Sequence, residues 1–322
     1  MLKTSFTDLT GCRVPLQQAP MGGVTTPQLA VAVAETGGVG MLAGVAIPAP
    51  ALEQMLDWMR SRTKGVFGVN FLMHFLDREA LAIAARKSNI VDFFYGDPDA
   101  SLVDFVHEGG ALAAWQVGST AEALAAVGAG CDFVVAQGIE AGGHVRGQVG
   151  LLPLLEDLLP AVDIPVVATG GIGTGRSMAA ALAAGAAAVR VGTRFLVADE
   201  TDAHPAYVDA IIRAGPEDTA LTDRFSVMWP DAPHRVLRSC IEAAESFQGD
   251  VVGEMAVGEQ RMPLSRFAVP APSSSTTGEI EAMALYAGEG VGTVRRRQPA
   301  AEILREIAGE AEGLLRRWAQ ET

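Results

Sequence analysis

A histidine directly follows two bare glycines in the stretch AQGIEAGGHVRG, residues 136–147. Its imidazole titrates near neutral pH, so His144 can take a proton from a bound molecule or share one with it. Gly142 and Gly143 expose backbone against which a flat ring can lie, leaving the histidine at the ring's edge. Glu140 can orient that imidazole or cap the loop backbone, and the structural role is the expected one. Two further glycine-rich stretches, ATGGIGTGRS (168–177) and VGTRF (191–195), contribute Gly170, Gly171, Gly192 and Thr193. Such loops bring backbone N–H groups close to an oxyanion, and a helix starting between Thr174 and Ser177 adds its partial positive charge.

The remaining histidines carry less chemistry. His74 follows an apolar run and is expected in packing, within reach of a pocket wall. His107 lies mid-helix at the surface. His204 and His234 adjoin prolines and read as helix-start residues. No HxxxH pair or G-x-S-x-G elbow occurs, so metal hydrolysis and acyl-serine chemistry have little support. Cys12, Cys131 and Cys240 lie far apart without a CxxC pair, which fits a reducing compartment and neither a disulfide framework nor a cysteine zinc site.

These residues need elements to hold them. Short, nearly continuous apolar runs recur at 13–19, 39–45, 66–72, 90–96, 111–118, 131–138, 164–171 and 187–196. Continuous rather than alternating hydrophobicity is the mark of parallel strands covered on both faces. Helical stretches such as PQLAVAVAETGG and STAEALAAVGAG, with Pro27 early in one and Ser119 or Thr120 as N-cap of the other, lie between them. Eight strand–helix units are the count of a (β/α)8 TIM barrel. A doubly wound open sheet is the rival, weakened because no GxGxxG turn follows the first strand.

Barrel chemistry gathers at the C-terminal strand ends, with phosphate usually held after strands seven and eight. The two glycine-rich stretches fall at those strands. Asn70, Gln116 and Gln137 fall at the ends of strands three, five and six and offer donors and acceptors to a flat heterocycle. Flavin mononucleotide (FMN) fits such a site, and sugar phosphates rank close behind on composition alone.

The 322 residues are 49% hydrophobic and 19% charged, with a formal net charge of −14. That is ample for a core and the wrong sign for nucleic acid or an anionic membrane surface. The N-terminal residues meet Pro and Gly before a long apolar stretch can form, and the alanine-rich run near 177–196 carries arginines and glycines. A cytoplasmic protein with no membrane partner and a small-molecule substrate is expected. The oligomeric state is open, a homodimer among the options. Residues 199–262 hold thirteen acids against five arginines. Residues 201–262 are expected to form an inserted, mainly helical lid or substrate domain, with 1–200 and 263–322 forming the barrel. VPAPSSSTTGE (269–279) reads as a mobile loop. PAAEILREIAGEAEGLLRRWAQ reads as an amphipathic helix with Ile303, Ile307, Ala311, Leu314 and Trp318 on its docking face.

QQAPMGGVTTPQLAVAVAETGGVGMLAG, GVNF, QGIEAGGHVRG, PVVATGGIGTGRSMAAALAAGAAAVRVGTRFL and AHPAYVDAII, in order from about residue 13 to 213, resemble the nitronate monooxygenase (2-nitropropane dioxygenase) family. A fainter likeness follows in MALYAGEGVG. The same motifs occur in flavin-dependent enoyl-acyl-carrier-protein reductases of that superfamily. The resemblance implies a TIM barrel holding FMN non-covalently. Pro20, Met21 and Gly22 would line the flavin through backbone, Asn70 and Gln116 by side chain, and Gln137, Gly142 and Gly143 would border its ring or ribityl chain. Gly170, Gly171, Gly192 and Thr193 would hold the phosphate, and His144 matches the family's catalytic histidine. Met21, Met73, His74 and Glu289 are further candidates for the substrate pocket; the family commonly has Gln where this chain has Glu289. The implied activity is oxidation of alkyl nitronates by dioxygen to a carbonyl compound and nitrite. The alternatives are an enoyl-thioester reductase, which would add NAD(P)H as a cofactor, and a non-redox FMN- or phosphate-binding barrel.

Overall fold

The computed structural model describes residues 2–258 and 260–321. Six parallel strands come first: β1 (Leu16–Gln18), β2 (Val39–Ala43), β3 (Val66–Leu72), β4 (Ile90–Phe94), β5 (Leu112–Val117) and β6 (Phe133–Gln137). The chain then makes a two-residue strand, β7 (Gly143–His144), outside the barrel before β8 (Val166–Thr169) and β9 (Ala188–Val191) complete it. Pairing of β9 with β1, Arg190 opposite Gln17, closes an eight-stranded parallel barrel. The TIM barrel expected from the apolar runs is the observed fold, and the open-sheet rival is excluded.

Helix α1 (Ser5–Thr10) plugs the N-terminal end, where the fully buried Phe6 ring meets Phe133 edge-on at 5.2 Å. Around the barrel run α2 (Pro27–Thr36), α3 (Ala49–Arg62), α4 (Arg78–Lys87), α5 (Ala100–Gly109), α6 (Thr120–Gly128), α7 (Leu151–Leu158) and α8 (Gly175–Ala183). Local sequence sets their ends. Thr26 caps α2 ahead of Pro27 by accepting from Leu29 N, and Gly37 stops it at φ 106°. Ser119 caps α6. After β9 comes only a short helix, α9 (Thr193–Leu196), so the expected eighth strand ends early, at Val191. Gly192 breaks the extended backbone there.

The second hydrophobic cluster gathers residues from Leu196 to Val294 together with Val24. This part of the chain forms α10 (Pro205–Arg213), β10 (Thr219–Thr222), β11 (His234–Leu237), α11 (Arg238–Ser246), β12 (Val251–Val257), β13 (Gln260–Ser265) and β14 (Thr277–Gly278). The segment expected to be mainly helical is therefore mixed. His234–Leu237 reads as the start of a helix, yet all four residues are buried in a strand between β10 and β7, because cross-strand pairing overrides local propensity. The boundary expected after residue 262 falls inside β13. The loop expected to be mobile is tied down: Ser274 N donates to Asp202 O (2.7 Å), and Ala271 and Thr276 are buried.

The last helix, α12 (Ala300–Glu321), packs on α8 and α2 and takes the place of the missing eighth helix. Ile303, Ile307 and Ala311 are buried as expected, while Trp318 is 63% exposed because the apolar stripe outruns the barrel wall.

Candidate active site

β6 delivers Gln137 to the barrel mouth, and the next residues turn sharply back. Gly138 N donates to Thr169 O on β8 (2.9 Å). Glu140 does not reach His144. Both of its carboxylate oxygens accept from Leu151 N (2.9 and 3.0 Å), capping α7 as expected. β7 then pairs antiparallel with β11, setting His144 opposite His234 and Gly143 opposite Arg235. The histidine is thus carried by a strand anchored to the second cluster, above the barrel proper.

The two glycines before it differ. A Cβ on Gly142 would lie 2.4 Å from Gly288 N, so its bareness allows close packing on Ala287 and Gly288. Gly143, at φ 78°, has open space where a Cβ would lie.

Aromatic rings enclose His144. Trp229 stacks on its imidazole at 4.0 Å and 24°, with Tyr95, Tyr286 and His234 within 6 Å between ring centres. His144 Nε2 is buried and has no hydrogen-bond partner among the described residues. Burial, with a smaller contribution from His234, pushes the imidazole pKa down to about 3, so the ring is neutral at ordinary pH. His144 O accepts from Gln137 Nε2 (3.0 Å), which leaves Gln137 Oε1 buried and unpartnered. His234 is not a helix-start residue: it is fully buried, accepts from Phe225 N at Nε2 (3.2 Å) and contacts Ala232 O through Nδ1 (2.9 Å). It clips both ends of the loop that carries Trp229. Burial lowers its pKa as well. Met228 (φ 84°) and Asp231 (φ 56°) in that loop hold left-handed backbone, a local cost that the clip offsets.

Beneath the mouth lies a polar layer. Arg190, on the eighth barrel strand, crosses the interior to the fourth and fifth. Its Nε donates to Gln17 Oε1 (2.8 Å), its Nη1 to Gln116 Oε1 (2.7 Å) and its Nη2 to the Asp92 carboxylate. Asp92 also accepts from Asn70 Nδ2. Gln17 Nε2 is buried without a partner.

The glycine-rich loops lie where the sequence sets them. Gly170 (φ 118°) and Gly171 (φ 69°) follow β8, and Thr174 caps α8 through Ser177 N. Gly192 and Thr193 follow β9, Thr193 Oγ1 accepting from Gly288 N (3.0 Å). Glu289 N donates to Glu140 O, and the Glu289 carboxylate pairs with Arg235 Nη2 (3.1 Å). The loop after β1 brings Met21 against both hydrophobic clusters and folds by donation from Met21 N to Thr25 Oγ1 (2.9 Å); Pro20 and Gly22 flank it. Met73 is half-buried beside Gly96, whereas His74 is exposed, stacked on Trp229 at 5.9 Å and not in the core. Tyr95, Trp229, His234, Arg235, Asp92, Arg190 and Gln17 escaped the sequence reading. Asp92 and Arg190 had a signal, each being a lone charge inside an apolar parallel strand, and such a charge needs a partner across the barrel.

Among the described residues no cluster of three or more metal-ligating side chains occurs, and no helix is long and apolar enough to cross a membrane.

The nitronate monooxygenase family model matches residues 3–82 and 76–310. A nitronate monooxygenase of Pseudomonas aeruginosa is 32% identical, the match covering 96% of this chain and 99% of the relative. The (3aS,4S,5R,7aS)-5-hydroxy-7a-methyl-1-oxo-octahydro-1H-indene-4-carboxyl-CoA dehydrogenase of Rhodococcus jostii is 34% identical over 79% of this chain and 71% of the relative. The structure of FabK from Thermotoga maritima superposes with a TM-score of 0.83 at 28% identity, covering both chains completely. The barrel, its glycine-rich loops and the matched family model agree, and the chain belongs to the nitronate monooxygenase family as a flavin-dependent oxidoreductase.

Proposed function

We propose that this enzyme binds FMN and oxidises alkyl nitronates with dioxygen to a carbonyl compound and nitrite. The observation that carries the reading is His144: a neutral imidazole with a buried, unpartnered Nε2, walled by aromatic rings and fixed beside the barrel mouth. The residues present fit the cofactor. Gln137 Oε1 and Gln17 Nε2 are buried polar atoms without partners in the same region, one an acceptor and one a donor. Gly170, Gly171, Gly192 and Thr193 would hold the phosphate, Asn70, Gln116 and Gln137 the ring, and Pro20, Met21, Gly22 and Gly143 would lie along it through backbone. Bound FMN supplies an electron-accepting ring that passes electrons on to dioxygen.

His144 acts on the substrate. As a neutral base it accepts the α-proton of a nitroalkane, and as a hydrogen-bond donor it holds the nitro oxygens of a nitronate already formed. Trp229 and Tyr95 exclude water from the same space. Arg235 and Glu289 neutralise each other, so the wall beyond Gly143 adds no net charge. FMN-loaded protein given propyl-2-nitronate in aerated buffer should release nitrite, and His144→Ala should retain FMN while losing at least about a hundredfold in rate. Equal nitrite release by the variant would remove His144 from the chemistry.

A second reading is NAD(P)H-dependent reduction of an enoyl thioester on the same flavin, favoured by the coenzyme A thioester named for the R. jostii relative. The acidic residues of 199–262 disfavour an acidic carrier protein as the thioester's bearer and leave a coenzyme A ester.

A further inference from the structure

We propose that the buried Asp92–Arg190 pair is a polarity lock, fixing which atom of Asn70 and of Gln116 faces the ring at the barrel mouth. The proposal rests on the flavin reading above and assigns to this pair a positioning role.

A carboxylate only accepts and a guanidinium only donates, whereas a side-chain amide can do either according to how it is turned. Asp92 Oδ1 faces Asn70 and therefore draws its Nδ2. Arg190 Nη1 faces Gln116 and therefore draws its Oε1 (2.7 Å). Turning Asn70 over would set a carbonyl against the carboxylate, and turning Gln116 over would set an amide N–H against the guanidinium. Both inversions trade an attractive pair for a repulsive one in a site that water does not reach, since Asp92 is 0% and Arg190 2% exposed. The opposite ends are thereby assigned. Asn70 presents Oδ1, an acceptor, and Gln116 presents Nε2, a donor; neither atom has a hydrogen-bond partner among the described residues. Gln17 is turned the same way by Arg190 Nε, which leaves its Nε2 as a buried donor.

Packing alone does not explain the pair. The layer below it is apolar, built from Phe6, Val39, Met41, Ile90, Phe133 and Val135, and well-packed apolar residues stabilise such a core at least as well as a buried ion pair does. A paired charge spanning the barrel from its eighth strand to its fourth is suited to something packing cannot supply, a fixed order of donor and acceptor on the layer above. That order suits a ligand edge with an N–H for Asn70 next to a carbonyl for Gln116. The pyrimidine edge of a flavin has this character, its N3–H lying between two carbonyls. A sugar hydroxyl accepts and donates equally and gains nothing from the lock.

The test compares FMN with 3-methyl-FMN, in which the N3 hydrogen is replaced, using apo-protein and flavin fluorescence quenching for affinity. The lock predicts that the wild-type chain binds 3-methyl-FMN at least about tenfold more weakly than FMN. Asp92→Asn, whose amide can meet either end of Asn70, should bring the two flavins within about threefold of each other. Arg190→Lys keeps the charge but lacks the planar fork that reaches Gln17, Gln116 and Asp92 through three separate nitrogens, so its bound FMN should shift in visible spectrum and midpoint potential. Folding of each variant is checked by circular dichroism. Equal binding of the two flavins by the wild-type chain overturns the lock without needing any variant, and so does a folded Asp92→Asn that discriminates as the wild type does. A wild-type chain that takes up no FMN overturns the flavin reading itself and the lock with it, whereas FMN uptake without discrimination overturns the lock alone.

Discussion

His144 owes its chemistry to its surroundings. An exposed imidazole would be partly protonated at neutral pH, but burial under Trp229 and the proximity of His234 hold this one neutral, with a pKa near 3. The sign of the linkage follows. A histidine depressed on folding contributes stability that is present above the unfolded pKa, near 6.5, and lost as pH falls toward the folded value. Between pH 6.5 and 4 the wild-type chain should lose on the order of 2–3 kcal/mol through His144 that His144→Gln does not lose, measured by denaturant melts across that range. Identical pH profiles for the two proteins would contradict the assigned neutrality. Glu289 makes a milder prediction. Its ion pair with Arg235 is 43% exposed on the carboxylate side, so Glu289→Gln should cost less than about 1 kcal/mol of stability. If the pair borders the substrate, KM for the nitronate should change while FMN affinity does not, and steady-state kinetics beside a flavin titration separate the two.

At the scale of elements, β7, only two residues long, matters most to the site. Its register with β11 fixes His144, and Gly142 just before it packs with almost no clearance on the 287–288 segment. Gly142→Ala would force backbone apart and should destabilise by about 1–3 kcal/mol, whereas Gly143→Ala, with open space but a left-handed φ, should cost about 1 kcal/mol. Thermal melts of the two variants check the order. The sequence made the barrel strands legible because parallel strands buried on both faces are continuously apolar: each of the eight runs contains an observed strand, and only the last overshoots by more than a few residues. The eighth run continued into α9 because Phe195 and Leu196 are as apolar as the strand before them. The glycine-rich loops and His144 were legible from residue type and spacing. Trp229, Tyr95 and His234 were not, since they meet His144 through the loop after β10, the end of β4 and the pairing of β7 with β11, contacts between segments distant in the chain. His234–Leu237 likewise gave no local sign that it would be a strand.

In the whole molecule a closed barrel supplies the rigid platform and the second cluster supplies the walls. Closure depends on α12, whose buried face fills the gap between α8 and α2. Ile307→Ala there should cost about 2–4 kcal/mol in a denaturant melt. Under the proposed function the barrel and its loops would hold the flavin, while residues 203–294, with Tyr95, would wall the space beside His144. The most direct measurement is therefore anaerobic. FMN-loaded protein is mixed separately with propyl-2-nitronate and with NADH or NADPH while its visible spectrum is followed. The account predicts loss of the oxidised-flavin absorbance with the nitronate and none with either nicotinamide; rapid bleaching by NADH or NADPH with no response to the nitronate would contradict it.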